Sequence, residues 1–349
     1  MKRFFCIHQV EKTYMKNKYL ILFLLFALTF YACESSYRNK FEIDTSTLKT
    51  QKIEIKTYGK ALFEADTTQL KEELVRLQSE FPQFLLADLN DPANVKQIYD
   101  FVSDTFLIGL NRQVRELYPD LKNLEKELLP VVQHFEHFYP AISVPPIYTY
   151  ISGVQHEIPV IAGQDAIAIG IDNYLGSETK AYTQLAIPKY MTYNMHPDFI
   201  ARDLAAAIYD AYLPPQPNAA NILDEMVMAG KKLLFIEAMV PGISDEVLLR
   251  YKTEQLNWAT KHEGEIWAFL VGDQLLYLNN YELFKKLFAD GPFTQDFSDE
   301  APARLGEFIG LKLIRSYADK HPNFCIRKLI DEHDTQTILM EARYKPATK

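Results

Sequence analysis

Three short apolar segments, "PPIYTYISGV", "EIPVIAG" and "AIAIGIDNYLG", follow one another from Pro145 to Gly176. Each is too brief for a helix, rich in β-branched and aromatic residues, and bounded by Gly or Pro. Together they predict adjacent strands of one small sheet. Upstream, "QKIEIKTYGKALFEAD" predicts a further strand, with Ile53 and Ile55 in alternating register and then Tyr58 before a glycine turn. The rest of the chain has helical periodicity. In "TTQLKEELVRLQSEFP" Leu70, Leu74 and Leu77 share a face, Thr67 or Thr68 caps the start and Pro82 ends it. "DPANVKQIYDFVSD" places Pro92 in a first helical turn, and "DLKNLEKELLPVVQHFEHFYP" is a long helix kinked near Pro130. Further helices are expected at about 198–213, 219–238, 244–271, 280–289, 302–319 and 323–332. The fold class is α+β: mostly helical, with a small β-sheet.

The N-terminus predicts a processing segment rather than part of this fold. The uncharged run from Tyr19 to Cys33 follows Lys16 and Lys18. It is short for a membrane span, which needs about 20 residues. A basic start, a short apolar core, then Ala32 and Cys33 form the layout of a lipoprotein signal peptide over residues 1–32, with Met15 the more compact start. Cys33 is then the lipidated first mature residue, and acyl chains on it anchor the chain to a membrane. Residues 33–50 read as a polar tether, 51–335 as a single domain and 336–349 as a C-terminal tail. The tether lacks a dense acidic run, which favours the cell envelope at the periplasmic face of the outer membrane. Cys6 is lost on cleavage and Cys325 has no partner, so the mature domain depends on its core rather than on a disulfide. The whole chain carries a formal charge of −9. Removing Lys2, Arg3, Lys12, Lys16, Lys18 and Glu11 leaves it near −13. Such an acidic domain is a poor nucleic-acid binder, and lipid rather than charge must hold it at a membrane.

One helix pair invites a chemical reading. In a zincin peptidase, two ligands one helical turn apart face a zinc ion, with a carboxylate beside the first and a third ligand from a later helix. In "LAAAIYDAYL" the corresponding positions hold Tyr209 and Leu213, with Asp210 in the place of the base; in "NILDEMVMAGKKLLF" the acidic ligand is replaced by Ala229. Leu and Ala cannot bind a metal, so no metal and no cofactor is expected there. Other candidates are weaker. His134 and His137 lie at i, i+3 around Glu136 with no third ligand placed, and read as a polar helix face. His156–Glu157 and His262–Glu263 lack a second histidine four residues on and read as surface pairs. Ser152, Ser177 and Ser316 have no nucleophile-elbow context, and "IAGQDAIAIG" lacks dinucleotide-loop spacing. Cys325 is expected as a small buried hydrophobe. "PKYMTYNMHPDF" is expected to pack in the core. Asp224, Glu225, Lys231 and Lys232 share a helix rich in Leu and Met. Leu256, Ala259, Ile266 and Phe269 are assigned to the core, and Glu265 beside Trp267 is expected to be partly buried, paired with Arg304 or Arg315.

Several segments in order carry a resemblance: "GIDNYLGSETKAY", "IPKYM", "ARDLAAAIYDAYL", "EQLNWATKHEGEIWAFLVGDQLLY" and "GPFTQDFSDEAPARLGEFIGLKLIRSYADKHP". From about residue 50 to 335 the chain resembles the gliding-motility lipoprotein GldB family of Bacteroidota. That family looks distantly related to predicted zinc peptidases, which implies a zincin-like scaffold, here lacking the metal-binding motif. The resemblance implies a non-catalytic, membrane-anchored envelope lipoprotein with a role in gliding motility, linked to type IX secretion. Its partners would be the membrane, through Cys33, and other motility or envelope proteins. Two alternatives are a degenerate peptidase-like module that binds peptidoglycan or peptide near Tyr209, Asp210 and Glu225, and a hydrolase with atypical metal ligands such as His134, His137 and Glu157.

Overall fold

The computed structural model describes residues 38–291, 294, 298 and 300–347. The expected signal peptide and Cys33 lie outside the described residues. Arg38–Phe41 form one short 3-10 turn, and the chain from Glu42 onward forms one compact unit. That unit is mostly helical with a small four-stranded sheet.

The strands are β1 (Ile55–Thr57), β2 (Ile147–Tyr150), β3 (Val160–Ala162) and β4 (Ile167–Gly170), in spatial order β1-β2-β4-β3. β1 and β2 are parallel, β2 and β4 are parallel, and β3 returns antiparallel to β4 at the sheet edge. The three expected central strands are therefore neighbours. The first predicted strand is much shorter than its pattern suggested: after Thr57 the chain turns into a helix, Tyr58–Phe63. The tertiary reason is an aromatic cluster. Tyr58 stacks on Phe84 at 4.2 Å between ring centroids, and Phe81 meets Tyr148 edge-on at 6.1 Å, which draws Tyr58 off the sheet.

The long helices are α1 (Leu70–Glu80), α2 (Pro92–Ser103), α3 (Thr105–Leu117), α4 (Lys122–Phe138), α5 (Ile200–Tyr212), α6 (Ile222–Met239), α7 (Thr253–Lys261), α8 (Glu263–Gly272), α9 (Tyr281–Phe288), α10 (Leu305–Lys320) and α11 (Thr335–Ala342). Leu70, Leu74 and Leu77 are buried as the periodicity required, although Asp66, not a threonine, caps the turn that leads into α1. Helix α3 was not expected; Asp104 starts it by accepting hydrogen bonds from the Phe106 and Leu107 amides. Helix α4 runs on through Pro130.

Helix α6 is buried on nearly every side and forms the axis of the molecule, as an all-round apolar helix must. Its fullest packing is against α10. The two cross where Gly230 faces Gly310: a Cβ at either position would run into the other helix's backbone. Arg315 of α10 fastens this pair. Its guanidinium bonds both Glu237 oxygens at 3.0 Å and both Asp245 oxygens at 2.9 and 2.6 Å. Glu265 is exposed, and Arg315 takes Glu237 and Asp245 instead, because those carboxylates face the buried seam. Leu256 and Phe269 are only partly buried, whereas Ala259 and Ile266 are in the core. Cys325 is half-buried rather than enclosed.

The stretch expected as one helix over 244–271 is divided into Asp245–Leu249, α7 and α8. The break is at Arg250, whose φ of 56° is left-handed. The Tyr251 amide reaches back to Glu246 O at 2.8 Å and closes the helix end, with arginine in the place where glycine is usual. The C-terminal stretch expected as a tail is partly helical and packed. In α11, Ile338 and Ala342 are buried, Ser316 donates to Ala342 O at 2.8 Å, and the Tyr344 ring lies edge-on to Trp267. Among the described residues no helix is long and apolar enough to cross a membrane.

Candidate functional site

Helix α5 points one stripe of side chains into a cleft. Asp203, Ala206, Ala207 and Asp210 are spaced i, i+3, i+4 and i+7, so they share a face. All four line a cavity of about 810 Å³ together with Val160 of β3, Tyr209, Leu213, Glu225, Ala229, Lys232 and Glu307. The two alanines leave its floor low. Tyr209, Asp210, Leu213 and Ala229, singled out by spacing alone, are thus brought into one cleft between α5 and α6.

They do not make a zinc site. Leu213 and Ala229 have no lone pair to donate. Both Asp210 oxygens lie against the Lys232 ammonium, at 2.8 and 2.7 Å, where a metal cation would be repelled. The Tyr209 hydroxyl is buried with no hydrogen-bond partner among the described residues, and burial, then Asp210, push its pKa up, so it stays a neutral phenol. Among the described residues no group of three or more His, Cys, Asp or Glu could hold a metal ion. His134 is buried rather than on a polar face. Its Nδ1 is 2.8 Å from Ala238 O, and burial lowers its pKa, so it joins α4 to α6 as a neutral ring. His137 is exposed on the same helix, so the pair does not converge. Glu157 stands apart from both, in the loop before β3. His262 stacks on Trp258, and Glu263 accepts from the Tyr344 hydroxyl at 2.8 Å. Ser152 donates to Asp172, a structural bond that ties β2 to the segment after β4.

A second cavity of about 550 Å³ adjoins the first. Tyr190, Met191, Tyr193 and Met195 of "PKYMTYNMHPDF" line it, so that segment is largely a cleft wall, with Thr192, Met195 and Phe199 buried. The two cavities share Glu157, Pro159, Asp203, Arg250, Asp290 and Arg304. At this junction lies a charged cluster that pattern reading missed. Asp203 accepts from the Tyr174 hydroxyl at 2.9 Å, Arg202 Nη1 at 3.0 Å and Arg250 Nη2 at 2.6 Å. Burial disfavours its charged form, but the two guanidiniums and the hydrogen bonds prevail and hold its pKa below the usual range. Burial and the Arg250 cation push Arg202 down to about 10, which leaves it charged at neutral pH. Arg304 donates to Leu249 O at 2.9 Å and Arg250 O at 3.1 Å, and its Nε lies 3.3 Å from an Asp290 oxygen outside hydrogen-bond geometry. Arg250 and Arg304 both have left-handed backbones, at φ 56° and 57°. Two non-glycine residues held there beside one cleft mark a place where backbone strain is tolerated to aim side chains. The sequence signal was present: "ARDL" puts an Arg–Asp pair inside an otherwise apolar helix, and such a pair is rarely buried without partners.

Three aspartates of the clefts face cations. Asp203 is neutralised by Arg202 and Arg250, Asp210 by Lys232, and Asp290 by Arg304. Glu225 and Glu307 line the first cleft as well, and burial, then Glu307, raise the Glu225 pKa.

A family model described as "Gliding motility protein GldB" matches residues 38–346, nearly the whole chain. No curated protein and no solved structure matches. The chain belongs to the GldB gliding-motility family.

Proposed function

We propose that this member of the GldB family is a lipid-anchored envelope protein that serves gliding motility by holding a partner in the α5–α6 cleft, not by catalysis. The family suggests a motility-related lipoprotein of the cell envelope. Anchoring through Cys33, placement at the periplasmic face of the outer membrane and a link to type IX secretion complete the proposal. The observation that carries it is that Asp203, Asp210 and Asp290 in the joined clefts each lie against an arginine or lysine.

Complementation in a gliding host whose own copy is deleted tests the role. An Asp210→Ala chain is expected to restore motility fully; a folded Asp210→Ala chain that fails would point to a catalytic acid and overturn the proposal. Elemental mass spectrometry of the purified chain is expected to find no stoichiometric zinc, and about one zinc per chain would equally overturn it.

A further inference from the structure

The wall shared by the two clefts offers hydrogen-bond donors that the protein leaves unused. Arg250 Nε is buried and has no partner among the described residues, while the same guanidinium spends one bond on Asp203. Arg304 is buried, at 7% exposure, and its Nε has only the Asp290 ion-pair contact outside hydrogen-bond geometry. A buried N–H without an acceptor costs about 1–3 kcal/mol, more when charged. Arg250 and Arg304 both line the two clefts, and a guanidinium is matched by the planar fork of a carboxylate. Lys189 and Lys252 line the same cavity, as do Glu157 and Glu254.

Beside these arginines runs an unused strand edge. In an antiparallel pair, alternate residues turn their N–H and C=O towards the partner strand. The Gly170 amide donates to Pro159 O at 2.8 Å, and the Gly163 amide donates to Ala166 O at 2.8 Å. Pro159, Ile161 and Gly163 therefore face β4, and Val160 and Ala162 turn their backbone groups the other way. β3 is at the end of the sheet order, and among the described residues no strand pairs with that side. Pro159 and Val160 line the cleft that Arg250 and Arg304 line; of the two outward residues Val160 is buried and Ala162 half-buried, with α5 packed beside β3, and Ile158 and Ile161 are exposed at 61% and 47%. An open edge with exposed isoleucines is a template for strand addition.

We propose that the ligand of this groove is an extended peptide segment whose backbone adds to the free edge of β3 while a carboxylate that it carries sits on Arg250 and Arg304. The assignment rests on the binding role proposed above and gives that role its chemistry.

The test uses the full chain in detergent and three fluorescent probes: an acetylated alternating Ala-Val pentapeptide with a free C-terminal carboxylate, the same peptide amidated, and the free acid N-methylated at alternate residues. Inorganic phosphate and acetate are competitors. The free acid is expected to bind about tenfold or more tighter than the amide, as one charge-assisted bond allows. That preference is expected to vanish in Arg304→Gln and Arg250→Gln. Ala162→Pro, which removes an outward N–H without touching the ladder to β4, is expected to weaken acid and amide alike. Equal affinity for acid and amide would overturn the carboxylate site. Phosphate competing as well as the peptide acid, with Ala162→Pro and N-methylation without effect, would show a free-oxyanion site and overturn the peptide assignment. If the arginine variants do not fold, as thermal melting would reveal, the acid-to-amide ratio on the unaltered chain and the Ala162→Pro result decide alone. Ala206→Trp, which fills the groove, separates this inference from its premise in the motility assay. If the unaltered chain binds no probe while a folded Ala206→Trp chain loses motility, only the ligand class is rejected; motility kept with the groove filled rejects the binding role itself.

Discussion

Lys231 is 1% exposed in α6 and points its ammonium at the Ile330 and Glu332 carbonyls. Burial pushes its pKa down from 10.5 to about 8, with Glu332 and Asp331 opposing. Between those two values the unfolded chain holds a proton that the folded chain has released. Stability therefore rises with pH from about 8 towards 10. Above pH 10 the trend reverses, because burial keeps Tyr174, Tyr182 and Tyr251 protonated in the fold while the unfolded tyrosines ionise. Urea unfolding at pH 7, 8, 9 and 10 is expected to show the rise, up to about 3 kcal/mol for a shift of this size, and Lys231→Met is expected to flatten it. A profile unchanged by Lys231→Met would assign the rise elsewhere. Arg250→Ala leaves Asp203 with Arg202 as its one cation and is expected to cost about 3 kcal/mol, measured as a lower urea midpoint. At this scale the legible part was local. Tyr209, Asp210 and Leu213 could be placed together from spacing, because one helical turn is a fixed distance. The pairing of Arg250 with Asp203 spans 47 residues of chain and has no local signature.

The α6–α10 crossing depends on two glycines. A methyl group at Gly230 would be driven into the Gly310 carbonyl, and one at Gly310 into the Met226 carbonyl. Gly230→Ala has a favourable local effect on helix propensity, about 1 kcal/mol, yet is expected to destabilise by at least about 2 kcal/mol net, since two backbones must separate. Chemical denaturation checks it, and a stabilised Gly230→Ala would mean that the helices do not cross so closely. Helix positions were largely readable from apolar period in α1 and from the first-turn proline in α2. Two departures share a physical cause. The break at Arg250 lies at an arginine forced to a left-handed backbone by its salt bridge and by the turn, which no propensity announces. The short β1 is curtailed by ring packing around Tyr58, in which tertiary contacts override alternation.

Across the molecule, α11 closes the core from the C-terminal side: Ile338 and Ala342 are buried, and Tyr344 donates to Glu263 at 2.8 Å. Ending the chain after His333 is expected to lower stability by on the order of 4 kcal/mol from the apolar surface uncovered, read as a falling urea midpoint. An unchanged midpoint would make this stretch a true tail. By itself the sequence determined the α+β class, the three neighbouring strands, the amphipathic helices and the lack of a metal-binding side chain at Leu213 and Ala229. These follow from period and from side-chain chemistry, which act within a few residues. Only the tertiary structure decided that Arg250, Arg304 and Asp203 meet at the junction of two clefts beside an open strand edge, that "PKYMTYNMHPDF" is largely a cleft wall, and that the C-terminal stretch is packed. Those depend on which distant surfaces touch, and contacts between residues far apart in the chain are set by the whole fold at once.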